Sequence, residues 1–105
     1  MKKSLYLLEF GPHIEQVLEQ ISTQEKLEKI IHEYAATSGL EIDSCDILFD
    51  YIAITFYLHT SVDVDAIIIA LKKHANDELV KQIPEFKKFV INDSLWEPGY
   101  NIDIL

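Results

Sequence analysis

Ile52-Ala53-Ile54-Thr55-Phe56-Tyr57-Leu58-His59 is the stretch of sequence that decides the fold. Large apolar residues alternate in it with small, polar or amphipathic ones, and this period of two residues is typical of a β-strand with two different faces. We predict that one face packs on the core through Ile52, Ile54, Phe56 and Leu58. The other face is amphipathic, so we expect a partner subunit, a ligand or a nucleic acid to cover it. The candidate interface residues on this open face are Tyr51, Thr55, Tyr57 and His59.

The segments before this strand predict a strand, two helices and a second strand. Residues 5–10 form an apolar run that ends at a Gly-Pro turn, which indicates the first strand. Apolar spacing over residues 13–21 predicts a short amphipathic helix, and Ser22-Thr23-Gln24-Glu25 matches a capping box at which a first main helix should begin. Gly39 is expected to end that helix. Alternation at Cys45, Ile47 and Phe49 then predicts a strand adjacent to the Ile52–His59 segment.

The segments after it complete a recognisable topology. Thr60-Ser61-Val62-Asp63 can cap a second main helix, and Pro84 should break that helix. Residues 100–105 alternate again and predict a last strand. The order strand, helix, strand, strand, helix, strand predicts an α+β, ferredoxin-like βαββαβ sandwich, with an antiparallel sheet and both main helices on one face. With 105 residues, the whole chain is expected to be a single domain, residues 1–105.

Charge and composition restrict the possible partners. The chain carries 9 lysines, no arginine and 18 acidic residues, for a net charge of −9. Proteins that bind nucleic acids gain most of their affinity from Lys and Arg, so we expect nucleic acid to be a poor partner. No apolar run reaches the roughly 20 residues that span a bilayer, and we therefore expect a soluble, cytoplasmic protein without membrane association. The single cysteine, Cys45, is expected to be a buried, unreactive thiol.

Two short strings near the C-terminus point to a family. They are Pro84-Glu85-Phe86-Lys87-Lys88 and Leu95-Trp96-Glu97-Pro98-Gly99-Tyr100. With these two strings and the predicted topology, residues 25–104 resemble the single-tyrosine HUH transposases of the IS200-like and REP-associated groups. The resemblance implies a ferredoxin-like core, a dimer and metal-dependent cleavage of single-stranded hairpin DNA.

The same resemblance implies that the catalytic site is degenerate. The family carries Asp-His-hydrophobe-His, in which two histidines bind a divalent metal. Laid on this sequence, the motif falls on Asp50, Tyr51, Ile52 and Ala53, so that only the aspartate is retained. The family's nucleophilic tyrosine lies on a helix after the Gly-Tyr strand, and because the sequence ends at Leu105 we expect that helix to be absent. We predict no catalytic residue, no metal site and no cofactor.

Three functions follow, in decreasing order of preference. The first is a catalytically inactive transposase-like domain, mobile-element derived, that forms a homodimer and serves as a protein-interaction or regulatory module. The second is a metal-independent protein that binds single-stranded DNA or RNA hairpins. The third is a fragment of an active DNA transposase. For the second, the candidate contacts are Lys72, Lys73, Lys87, Lys88, Trp96 and Tyr100. For Trp96 and Tyr100, aromatic anchoring of the turn is the preferred interpretation, with base stacking as the alternative.

Overall fold

A computed structural model describes residues 2–105, and in it a four-stranded antiparallel sheet is covered on one face by two helices. The strands lie in the order β2-β3-β1-β4, and every neighbouring pair is antiparallel. This confirms the predicted ferredoxin-like βαββαβ sandwich. The elements are β1 (Lys3–Phe10), a 3₁₀ turn (Glu15–Leu18), α1 (Ile21–Ser38), β2 (Glu41–Ile47), β3 (Ile52–His59), α2 (Val64–Gln82), a second 3₁₀ helix (Pro84–Phe89) and β4 (Asn101–Ile104).

The core lies between the sheet and the helices, and the alternation in β3 defines it as predicted. Ile52, Ile54 and Phe56 are completely buried, whereas the residues between them are half-exposed. The buried side chains of β1 and β3 join those of α1 and α2 in one hydrophobic cluster. Burial of large apolar side chains is the main source of stability in a domain of this size. The central strands β1 and β3 therefore supply much of the sheet's contribution to this core.

Two details of the predicted N-terminal half are wrong. The capping box does not cap α1, because the carbonyl oxygen of Gln20 accepts the backbone N–H groups of Thr23 and Gln24. The helix therefore begins at Ile21, and Ser22 lies within its first turn instead of before it. The short amphipathic helix predicted over residues 13–21 is a single 3₁₀ turn at Glu15–Leu18, and Ile21, at the end of the predicted segment, is 71 % exposed.

The other helix boundaries agree with the sequence. Asp63 caps α2 by accepting the N–H of Ala66 at 3.2 Å, and α2 ends before Pro84. Gly39 ends α1 with φ of 84°, a left-handed conformation that glycine adopts without strain. Phe49 does not belong to a strand, because β2 ends at Ile47 and Phe49 lies in the connecting turn.

Within residues 2–105, neither helix combines the length and the apolar character that crossing a bilayer requires.

Cys45 lies on the core-facing side of β2, where it pairs with the buried Ile54 of β3. Its side chain is half-buried and forms no disulfide. Burial raises the pKa of the Cys45 thiol to about 12, and the nearby carboxylates of Glu28 and Asp46 act in the same direction. The thiol is therefore uncharged at neutral pH and unreactive, since the thiolate is the nucleophilic form.

This raised pKa predicts both slow alkylation and a pH dependence of stability. The unfolded chain releases the thiol proton near 9.0, and the folded chain releases it at about 12. Between these values the folded state binds more protons, so the free energy of unfolding should fall as pH rises. Iodoacetamide should modify the native protein much more slowly than the urea-unfolded protein. Cys45→Ala is the control and should lack this part of the pH dependence; equal alkylation rates in both states would contradict the assignment.

Candidate functional site: the open sheet face and the Leu95–Tyr100 turn

The open face of the sheet, opposite the helices, places Ala53 between acidic side chains. The strand register aligns Asp46 of β2, Ala53 of β3, Glu9 of β1 and Asn101 of β4 in one row across the sheet. Side chains directly opposite each other on antiparallel strands have Cβ atoms about 5 Å apart. Two carboxylates therefore flank the methyl group of Ala53.

The rows farther from Ala53 form an apolar centre with a polar margin. Leu7 lies beside Thr55, and Leu5 lies beside Tyr57, all of them half-buried. Thr55 shares hydrogen bonds with side chains of β2, and His59 Nδ1 lies 2.6 Å from the hydroxyl oxygen of Ser61. The structure thus brings the predicted residues Thr55, Tyr57 and His59 together on one face.

The Leu95–Tyr100 turn closes one end of this sheet. Its first residues pair with the segment after β1: the N–H of His13 donates to Leu95 O, and the N–H of Glu97 donates to Gly11 O, both at 2.9 Å. Gly99 has φ of 82°, so the chain can reverse there without a Cβ clash. The strand β4 begins directly afterwards, at Asn101. The turn therefore sets the position of the last strand, which the sequence predicted over residues 100–105.

Polar side chains and one aromatic ring attach this turn to α2. The side-chain oxygen of Asn76, which is 9 % exposed, accepts the N–H of Leu95 at 2.8 Å. The indole N–H of Trp96 donates to the Lys72 carbonyl at 3.0 Å, and Trp96 packs edge-on against Phe10. Trp96 is 1 % exposed. Trp96 therefore anchors the turn through its burial and its hydrogen bond to α2, and its ring is not exposed for stacking on a base.

Lys72 binds the turn from the other side. Its ammonium donates to the carbonyl oxygens of Glu97 at 3.0 Å and Gly99 at 2.6 Å, and lies over the rings of Phe10 and Tyr100. Partial burial lowers the pKa of Lys72. The hydroxyl of Tyr100 donates to the carboxylate of Asp65, and this bond raises the pKa of Tyr100. Both side chains are engaged within the protein rather than free for a phosphate or a base.

Of the remaining predicted nucleic-acid contacts, Lys73 lines a cavity together with Lys72 and Tyr100, whereas Lys87 and Lys88 lie elsewhere. Lys73 pairs with Asp77 one helical turn away, at 2.9 Å. Lys87 and Lys88 are exposed on the second 3₁₀ helix, and Lys88 lines a different cavity from the one that Lys72 and Lys73 share. The structure therefore does not gather the six candidates into one basic surface.

A cleft of about 420 Å³ opens beside the turn, where β1 ends and β3 begins. We call it the Tyr51 cleft. Asp50 and Tyr51, two of the predicted degenerate motif positions, are part of its wall. No group of three or more His, Cys, Asp or Glu side chains within residues 2–105 has an arrangement that could hold a metal ion. The full lining is Glu9, Phe10, Gly11, Pro12, Asp50, Tyr51, Glu97, Pro98, Gly99, Tyr100 and Asn101.

Fold and turn together define a ferredoxin-like domain with a tryptophan-anchored turn at the edge of an open sheet. The family model for IS200-like transposases matches residues 13–105. The chain belongs to the IS200-like transposase family, as the sequence predicted. No curated protein matches it.

Two solved structures show the same fold. One is a protein from Deinococcus radiodurans R1 that carries the provisional assignment of transposase; its TM-score is 0.90 at 19 % identity, and the match covers 100 % of this chain and 81 % of that chain. The other is a REP-associated tyrosine transposase bound to a REP hairpin, with a TM-score of 0.70 at 11 % identity. That match covers 100 % of this chain but 58 % of the REP-associated protein.

Replacement of Asn76 by alanine should destabilise the protein through the turn. The Leu95 N–H would lose its acceptor in a buried position, and an unsatisfied buried donor costs about 1–3 kcal/mol. Urea unfolding monitored by Trp96 fluorescence should show this loss as a lower midpoint with an unchanged slope.

Lys73→Ala is the matched control for Asn76→Ala. It removes an exposed ion pair on the same helix and should change the free energy of unfolding by less than about 0.5 kcal/mol. Equal losses in the two variants would show that Asn76 does not hold the turn.

Proposed function

We propose that this member of the IS200-like transposase family is not a catalyst and acts as a dimeric protein-interaction or regulatory domain. The observation that supports this most directly is the pair Tyr51 and Ala53, which occupies the positions that the family resemblance gives to the metal-binding histidines. Ala53 offers no ligand atom, and the phenol of Tyr51 is a poorer metal ligand than an imidazole.

The charges around Ala53 agree with a loss of DNA chemistry. Asp46 and Glu9 flank it across the sheet, and Asp50 lies at the entrance of β3. A phosphodiester brought to this position would meet these carboxylates, whose negative charge repels it. The net charge of −9 adds a repulsion of the same sign over the whole surface.

The catalytic part of the proposal predicts no cleavage of hairpin-bearing single-stranded DNA with Mg²⁺ or Mn²⁺. A matched variant, Tyr51→His/Ala53→His, restores the two imidazoles and should bind Mn²⁺ in a calorimetric titration, whereas the wild type should not. Metal-dependent nicking by the wild type would overturn the proposal and favour an active transposase fragment. Failure of the double variant to bind Mn²⁺ would contradict the assignment of Tyr51 and Ala53 to the motif.

We propose that the homodimer forms through the apolar centre of the open face. Leu5, Leu7 and Tyr57 are half-buried neighbours on this face, and Asp103 and Glu41 border them on the outer strands. An apolar sheet face left open to water is stabilised by a second layer.

Sedimentation velocity should therefore show a concentration-dependent dimer. Leu7→Lys places a charge in the apolar centre and should shift the protein to monomer at the same concentration. Dimerisation would bury the new ammonium group and bring two such groups together across the two-fold axis, where they repel each other. Gln82→Lys adds the same charge at an exposed position on α2 and should leave the dimer unchanged. A monomeric wild type, or equal effects of the two substitutions, would contradict this interface.

Binding of a DNA or RNA hairpin is the second candidate, and one comparison favours it. A structural neighbour is described in complex with a REP hairpin, and Lys87 and Lys88 are exposed here. The acidic surface and the internal engagement of Lys72, Lys73 and Trp96 weigh against it. Fluorescence anisotropy separates the two candidates: sub-micromolar hairpin binding with a steep salt dependence, lost in Lys87→Gln/Lys88→Gln, would favour this second function.

A further inference from the structure

The turn between β2 and β3 exposes apolar side chains next to the Tyr51 cleft. We call residues 48–51 the hairpin tip. Phe49 is 62 % exposed, Leu48 41 % and Tyr51 38 %, although all three side chains are large. The N–H of Leu48 donates to Tyr51 O at 2.9 Å, which fixes the tip as a closed turn. Clustered exposed apolar residues of this kind mark interaction surfaces more often than isolated ones do.

The cleft beside the tip is acidic. Glu9, Asp50 and Glu97 line it, and no lysine or histidine of residues 2–105 does. None of these three carboxylates has an ion-pair partner among the described residues. Lys72 is not a lining residue, and its ammonium is bound to the turn, where it donates to the carbonyl oxygens of Glu97 and Gly99 and lies over the rings of Phe10 and Tyr100. The cleft therefore presents three carboxylates without an ion-pair partner among the described residues, and the aromatic residues Tyr51 and Tyr100 line it as well.

We propose that the Tyr51 cleft and the hairpin tip together bind a short basic and apolar segment of a partner protein. A lysine or arginine of that segment would enter the cleft, opposite the carboxylates and close to the ring of Tyr51, and a neighbouring apolar side chain would pack on Phe49. The negative charge of the cleft favours a basic segment, whereas the phosphates of a nucleic-acid strand would be repelled by it. This inference rests on the proposed function as a protein-interaction domain and names the chemistry of its partner.

A second copy of this chain is a poorer occupant than a different protein. The chain has no arginine. One basic and apolar segment of the chain begins at Lys2 and enters β1, where Lys3 pairs with Glu41. Another, residues 86–89, lies in the second 3₁₀ helix, where Phe86 is buried and packs edge-on against Phe89. Releasing that segment to fill the cleft of another copy would expose part of the hydrophobic core.

The experiment uses a fluorescein-labelled peptide, Gly-Lys-Leu-Arg-Phe-Lys-Gly, titrated with the full chain at moderate salt. Saturable binding is expected for the wild type. Glu9→Gln/Glu97→Gln should weaken it by about tenfold, because two of the three cleft charges are removed, and Phe49→Ser should weaken it by about fivefold. The control Glu25→Gln/Glu33→Gln removes two exposed charges from α1 and should stay within about twofold of the wild type.

Four results would overturn the inference. These are the absence of saturable binding, equal weakening by the two double variants, tighter binding of a single-stranded DNA probe in the cleft, and loss of self-association in Glu9→Gln/Glu97→Gln. The last would assign the cleft to a second copy.

Folding of each variant is checked by its urea midpoint. Absence of peptide binding without metal-dependent nicking would remove this inference alone, whereas nicking would remove the proposed function itself.

Discussion

Attachment of the Leu95–Tyr100 turn to α2 is the constraint on which the second half of the molecule depends. Asn76 satisfies the buried N–H of Leu95, Lys72 binds two carbonyls of the turn, and the Trp96 indole returns a hydrogen bond to α2. Each of these groups would be costly to bury alone. Together they fix where β4 begins and shape one wall of the Tyr51 cleft.

The two faces of β3 separate the residues that hold the family fold together from the residues of the open face. Ile52, Ile54 and Phe56 point into the core, where loss of volume would cost several kcal/mol each. Ala53 and Thr55 point to the opposite, open face and contribute little to that packing. Substitution on the open face is therefore compatible with an intact sandwich, which is why membership in a transposase family does not by itself define the activity of this chain.

Most of the fold could be predicted from the sequence, because its signals are local and periodic. The alternation in β3, the Asp63 cap and the Gly39 terminus each depend on a few adjacent residues. The prediction that α1 begins at the capping box was wrong because the Gln20 carbonyl accepts the N–H groups of Thr23 and Gln24, so that the helix begins before Ser22. The prediction that Phe49 belongs to a strand was wrong because alternation does not show where pairing with the next strand stops.

The sequence by itself determined the topology, the buried face of β3 and the family, since these follow from hydrophobic period and from two short strings. Only the tertiary structure decided the surroundings of the site. Strand register, which joins residues far apart in the chain, set Asp46 and Glu9 on either side of Ala53. Packing of the turn on α2 likewise engages Lys72 and Trp96, two candidate nucleic-acid contacts, in hydrogen bonds within the protein. The sequence alone could not show this, because the partners of a side chain depend on which distant part of the chain packs against it.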